Sequence, residues 1–348
     1  MIEKRVRPTG FQPFVNFSII LSPKEFQTLY KNYKTRIDRS LERLVDSRSP
    51  RSVYQPMKYA LASGGKRIRA VLVLLSCEAV RGTARQAIPA AVALEVLHNF
   101  TLVHDDVMDH ADLRRGRPTI HKKWDANIAI LAGDELVGHA YRSLLQTHSS
   151  RLSEVMRVFT DAFIQVCDGQ ALDKEFENRT RVSLDEYHVM IGKKTGRVIA
   201  AATEIGATIG GGTPREVSAL RKFGERLGRA FQIKDDLLDI TGDEEEFGKA
   251  IGGDIVEGKK TFLLVTALER VHGEDRNLLT AVARRNGITY RDVRRVRALY
   301  ERSDTLEVAR REIVACTRSA QRALMQLAPG RAKETLHWLA EQLRERTS

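Results

Sequence analysis

Apolar residues recur at three- and four-residue spacings along most of the chain. MKYALASGGKRIRAVLVLLSCEAV (57–80) and AIPAAVALEVLHNFTLVHDDVMD (87–109) show this, and alternation with a period of two is scarce. A helical period with almost no strand signal restricts the chain to an all-α fold. Punctuation at Gly82–Thr83, Arg114–Pro118, Gly210–Pro214 and Gly242–Gly258 cuts the sequence into helix-length segments. None of these breaks is long or polar enough to separate one domain from another, and no solenoid-type repeat is present. The 348 residues therefore read as a single helical domain over 26–348, preceded by an N-terminal extension over 1–25.

Several classes fall away on composition. The longest apolar run, AVLVLLSCEAV from Ala70, is broken by Glu78 and is shorter than the ~20 residues that cross a bilayer, so no transmembrane segment is expected. MIEKRVRPTGFQPFVNFSII lacks a continuous apolar core followed by a small-residue cleavage site, which makes it an extension rather than a signal peptide and the protein cytoplasmic. Cys77, Cys167 and Cys316 are odd in number and widely spaced, as reduced core thiols would be, and form neither a disulfide framework nor a zinc site. The net charge of +12 is spread along the chain without interleaved aromatics, so no nucleic-acid partner is expected and small polyanionic substrates account for the excess. Arginine-rich ARRNGITYRDVRRVR (283–297) reads as solvated helix faces.

The chemistry concentrates in HNFTLVHDDVMDHADLRRG (98–116), where Asp105, Asp106 and Asp109 crowd an apolar helix, and again in QIKDDLLDITGD (232–243), with Asp235, Asp236 and Asp239. Spacing i, i+4 sets the first and last Asp of each triplet on one helix face. Carboxylates this close resist joint ionisation unless cations intervene. An oxygen-only set without His or Cys at ligand spacing suits a hard divalent ion, and Mg2+ completes its octahedron with waters and substrate phosphates. One such motif is compatible with a solvated helix face; two copies in apolar helices favour metal.

Basic partners cluster at turns. GGKRIR (64–69) puts Lys66 and Arg69 after a flexible Gly pair, and LRRGRPT puts Arg114 and Arg115 just past the first acidic helix, which makes both candidate anion clamps. FGKAIGGDIVEGKKT (247–261) is a Gly-rich loop carrying Lys249, Lys259 and Lys260, suited to closing over phosphates, although its glycine spacing is not that of a Walker loop.

With these residues in hand, the chain resembles the trans-prenyltransferases of the polyprenyl diphosphate synthase family. GGKRIR, HNFTLVHDDVMD, RRGRPT, DGQALD, KKTG, QIKDDLLD and GKAIGGDIVEGKKT occur in family order over roughly Tyr54 to Thr266. The resemblance implies the isoprenoid synthase fold, helices around a deep central cavity with the triplets facing across it, in a homodimer. It implies condensation of isopentenyl diphosphate with an allylic diphosphate, with Mg2+, three ions once substrate is bound, held by Asp105, Asp106, Asp109, Asp235, Asp236 and Asp239, with a water or basic neighbour as the alternative partner of Asp236. Arg114, Lys194 and Lys259 match allylic-diphosphate positions, Lys66, Arg69, His98 and Arg115 match isopentenyl-diphosphate positions, and Lys249 of the Gly-rich loop is expected among the substrate-binding residues. Thr195 and Gln232 match oxygens that face the allylic cation, Gln170 and Asp173 match a cavity-facing motif, and released pyrophosphate is the implied proton acceptor. Class I terpene cyclases lack the Lys66/Arg69 clamp and the second Asp triplet. Non-catalytic subunits of heteromeric synthases lose one triplet, and here both are intact.

Product length is expected to follow from Leu97, Phe100 and Thr101, which lie eight, five and four residues before Asp105, along the path of a growing tail. A helical turn of about 5.4 Å is comparable to one five-carbon unit. Phe at five and Thr at four, with no insertion in the triplet, resemble geranylgeranyl diphosphate synthases. Twenty carbons are expected, with farnesyl diphosphate as the alternative and room for a twenty-five-carbon side product. The bland reading of Phe100 is ordinary core packing.

Overall fold

The computed structural model describes residues 22–45, 49–242, 251–285 and 288–345, and they are helical almost throughout. The order is α1 (Pro23–Leu44), α2 (Arg51–Leu61), α3 (Ile68–Ala79), α4 (Ala84–Met108), the strands β1 (Leu113–Arg114) and β2 (Arg117–Pro118), α5 (Ile120–Lys123), α6 (Ala126–Leu144), α7 (Leu152–Glu177) and α8 (Leu184–Ile191). A π-helical turn over Gly192–Gly196 leads into α9 (Arg197–Ile209) and α10 (Pro214–Thr241). The chain continues with α11 (Gly253–Val256), α12 (Phe262–Arg270), α13 (Gly273–Ala283), α14 (Tyr290–Arg302), α15 (Thr305–Leu324) and α16 (Arg331–Glu345). Helix α1 starts inside the segment read as an extension, because Pro23 at its first turn and Glu25, which accepts from Ser22 N at 2.7 Å, begin the helix there.

Helix α4 runs through the middle, buried on all sides from Ala90 to Leu97 and packed against α3, α6 and α9. A helix that is apolar all round must be enclosed. Among the described residues α4 is the one helix long and apolar enough to cross a membrane, a length the reading of continuous runs did not reach; 67% of its apolar window is buried within the fold. Helix α10 starts at a complete capping box: Glu216 N donates to Thr213 Oγ1 at 3.3 Å, and Thr213 N donates to Glu216 Oε2 at 2.8 Å. It packs between α9 and α15. A second apolar cluster, including Phe262, Leu299 and Tyr300, lies under the C-terminal end of α10.

The all-α expectation holds but for one hairpin. Leu113 pairs with Pro118 and Arg114 with Arg117, and the two residues between, Arg115 (φ 53°) and Gly116 (φ 72°), both take left-handed backbone. That is the two-residue turn whose twist matches paired strands, and it is too short to show as alternation in sequence.

Candidate active site

The C-terminal halves of α4 and α10 border a cavity of about 740 Å³ that is also lined by the α3 entry, the hairpin, α7 and the π turn. Of the residues singled out from sequence, Lys66, Arg69, His98, Arg114, Arg115, Lys194, Thr195 and Gln232 reach its wall, together with Asp105 and Asp235. Leu97, Phe100 and Thr101 line it too. Asp106, Asp109, Asp236, Asp239 and Lys259 are not on the wall, and Lys249 lies outside the described residues.

The two basic turns, fifty residues apart in sequence, form one surface. Gly65 (φ +120°) leaves space that a side chain would close, since a Cβ there would lie 2.7 Å from Arg115 Nη1. Through that gap Arg115 donates to Ser63 Oγ at 3.3 Å and to the Gly64 carbonyl. Arg67 carries the turn from beneath. It holds a left-handed backbone (φ 51°), and its buried guanidinium donates to Asp38 and Glu95 at 2.9 Å each and to the Leu61 carbonyl at 2.6 Å. This leaves Lys66 and Arg69 to the cavity.

Arg69 Nη1 lies 3.2 Å from His98 Nε2. Burial, and then the surrounding arginines, hold His98 well below the usual imidazole range, so its ring is neutral and its Nε2 accepts from Arg69. Arg69 Nε is buried with no hydrogen-bond partner among the described residues. A buried guanidinium N–H left unsatisfied costs ~1–3 kcal/mol, and an anion in the cavity would remove that cost.

The π turn brings Lys194 and Thr195 to the same cavity. Two glycines admit it between helices: a Cβ at Gly169 of α7 would lie 2.3 Å from Lys194 N, and one at Gly228 of α10 2.6 Å from Gly196 Cα. Thr195 Oγ1 donates to Gln232 Oε1 at 2.8 Å, and Gln232 Nε2 donates to Asp236 Oδ1 at 3.0 Å. The other Asp236 oxygen accepts from Tyr187 Oη at 2.7 Å and from Phe262 N, at the start of α12, at 2.8 Å. Asp236 thus fixes which way the Gln232 amide faces.

The triplets are consequently split by position. Asp106 is buried and bonded by Arg114, with Nε at 2.9 Å, and Asp236 is saturated as described. The family resemblance nominates both as metal ligands, but i, i+1 neighbours point to different sides of a helix, which leaves each facing protein donors. Asp109 accepts from Lys174 at 2.7 Å, and although burial works against its charge, that ammonium holds its carboxyl below the ordinary range. Asp239 accepts from Asp254 N at 3.2 Å, and burial, then the Asp254 carboxylate, push it up. Asp105 has no hydrogen-bonding partner for its carboxylate among the described residues, and burial pushes it up to about 6.

Lys194 pairs with Asp173 at 2.6 Å, and Lys259 with Glu257 at 2.7 Å and Asp254 at 3.4 Å. Sequence reading missed Arg67, Glu95, Lys174 and Asp254. A lone Glu in AVALEVLHN signals a buried cation to pair with, and it could have pointed to Arg67.

No three His, Cys, Asp or Glu side chains among the described residues form a ready metal cluster. Asp105 and Asp235 offer hard oxygens from two helices on the wall of a cavity rich in guanidinium and ammonium groups. That donor set fits divalent ions whose remaining ligands arrive with an anionic substrate.

The polyprenyl synthetase family model matches residues 50–301. A short chain isoprenyl diphosphate synthase of Methanothermobacter thermautotrophicus is 38% identical over 92% of this chain and 99% of its own. The crystal structure of geranylgeranyl pyrophosphate synthetase from Pyrococcus horikoshii superposes with a TM-score of 0.87 at 35% identity, over 92% of this chain and 99% of that one. The polyprenyl synthase of Caulobacter crescentus, crystallised with calcium and isoprenyl diphosphate, gives 0.87 at 28% identity, over 94% and 98%.

Proposed function

The chain belongs to the polyprenyl synthetase family, and from that premise we propose that it is a short-chain trans-prenyltransferase that condenses isopentenyl diphosphate with allylic diphosphates to geranylgeranyl diphosphate. The observation that carries the reading is the cavity itself. An anion clamp, in which Arg69 Nε has no partner among the described residues, and two acidic helices line one cavity with an apolar tail region at Leu97 and Phe100.

Lys66, Arg69 and Arg115 hold the diphosphate of isopentenyl diphosphate, with neutral His98 keeping Arg69 in place. Arg114, Lys194 and Lys259 grip the allylic diphosphate, Arg114 while held by Asp106 and the two lysines by exchanging their present carboxylate partners for phosphate oxygens. Asp105 and Asp235, with Asp109 and Asp239 behind them, would hold Mg2+, three ions with substrate bound. When bound, the metal neutralises the leaving diphosphate as a Lewis acid. Asp106 and Asp236 anchor Arg114 and Gln232. The Thr195 hydroxyl donates its hydrogen bond to Gln232 Oε1, so its lone pairs are free to face an allylic cation. The C–O bond of the allylic diphosphate breaks, the double bond of isopentenyl diphosphate attacks the cation, and departing pyrophosphate takes the proton.

Exposed Ile130 and Leu131 on α6 and Ile164 on α7 supply apolar surface for a homodimer, a soluble cytoplasmic enzyme in this reading. Phe100, 8% exposed, stands across the tail's path and supports a twenty-carbon product. The purified protein, given Mg2+, labelled isopentenyl diphosphate and each allylic primer, should yield twenty-carbon alcohols after dephosphorylation. Phe100→Ala should lengthen them and Thr101→Phe shorten them toward fifteen carbons. Unchanged products in both active variants would remove the basis for the length assignment, and no elongation by wild type would remove the function.

A further inference from the structure

Phe100 is clasped by two rings. His104, one turn nearer Asp105, meets it edge to face with centroids 4.6 Å apart at 62°, and Phe163 of α7 closes from another side at 5.5 Å and 84°. Phe100 and His104 both line the cavity. The imidazole is seated in a notch on α6, where residue 133 is glycine. A Cβ at Gly133 would lie 2.1 Å from His104 Nε2 and 2.4 Å from Cδ2, well inside van der Waals contact. His104 Nε2 also lies 3.2 Å from the Ile130 carbonyl, close enough to donate a hydrogen bond that fixes the ring on α6. Gly133 sits in the interior of a 19-residue helix, and its φ is not in the left-handed region. Glycine there costs about 1 kcal/mol of helix propensity relative to alanine, so the position calls for space and not for backbone freedom.

We infer that Gly133 and His104 are specificity-determining residues for product length, acting through Phe100. The glycine notch keeps the imidazole out of the cavity, and the imidazole holds the Phe100 ring across it. The inference rests on the proposed prenyl-elongation activity.

It is tested on the full chain by product distribution at matched substrate consumption. Gly133→Ala should drive the imidazole off α6 into the cavity and raise the fifteen-carbon share severalfold. His104→Ala should open the space between Phe100 and α6 and raise the share of products longer than twenty carbons. The double variant His104→Ala/Gly133→Ala should match His104→Ala, since the added methyl then meets no ring, and this dependence would not arise from a general loss of stability. An unchanged or lengthened distribution in Gly133→Ala, an unchanged one in His104→Ala, or an equal Gly133→Ala effect in both backgrounds would overturn it. If Gly133→Ala does not fold, His104→Ala and the double variant, which carry no clash, decide. Products that respond to Phe100→Ala but to neither of these changes would defeat this inference alone, whereas no elongation by any form would defeat the functional reading beneath it.

Discussion

The two acidic triplets are spelled alike, but Asp106 and Asp109 of the first are bonded by cations, and Asp236 and Asp239 of the second accept from neutral donors. Arg114 and Lys174 bond Asp106 and Asp109, whereas Tyr187, Gln232 and backbone N–H groups bond Asp236 and Asp239. The consequence is electrostatic. Lys174 keeps Asp109 ionised against its burial, while burial, and then the Asp254 charge, lift Asp236 to about 7. Identical motifs can thus carry different charge before any metal arrives, because the partners that set it come from other helices.

The comparison breaks most sharply at the residues on which the two copies agree. Asp105→Asn and Asp235→Asn should each lower turnover on the order of a thousandfold, equivalent to ~4 kcal/mol of transition-state stabilisation. Near wild-type steady-state rates in either would remove that copy from the metal site. The next largest effect concerns stability. Asp236→Ala strands Tyr187 Oη, Phe262 N and Gln232 Nε2 in the interior and should cost about 3 kcal/mol in urea unfolding. Asp106→Ala should cost only ~1–2 kcal/mol, because Arg114 retains access to water. Equal costs would mean that the two middle aspartates are anchored alike.

Protonation supplies a third test. Asp105 at about 6 and Asp236 at about 7 both sit above the ordinary carboxylate value. Their contribution to metal-free stability is full below pH ~4, the unfolded value, and is lost as pH rises through 6 to 7. Added Mg2+ should therefore raise the melting temperature more at pH 8 than at pH 5.5, where a proton still competes for the Asp105 carboxylate. A larger gain at the lower pH, seen by scanning fluorimetry, contradicts the assignment. The smallest expected effect converts one copy toward the other. Lys174→Gln removes the cation at Asp109, and with ~0.5 kcal/mol for a partly exposed pair it should tighten Mn2+ binding about two- to threefold in paramagnetic-resonance titrations. Weaker binding would show that Lys174 supports the metal instead of competing with it.

The all-helical architecture and the two acidic helices were legible in the sequence because helical period and i, i+4 spacing are local properties of the chain. The triplet, clamp and tail residues could be nominated for the same reason. Which member of each triplet faces the cavity was not legible: Asp106 and Asp236 differ from Asp105 and Asp235 in spacing by a single position, and it is Arg114, Tyr187 and Phe262, brought in from elsewhere, that claim them. Lys174 sits in DGQALDKEFE with nothing local to mark its reach to Asp109.

The sequence by itself determined the fold class, the acidic and basic motifs and the chemistry they suit, since residue type and period are written along one dimension. Only the tertiary structure decided that GGKRIR and RRGR form one surface through the gap at Gly65, that Arg67 turns inward to Glu95, and that Gly133 seats His104 against Phe100. Each of these depends on the close approach of segments distant in sequence, and that approach is set by packing which no local pattern encodes.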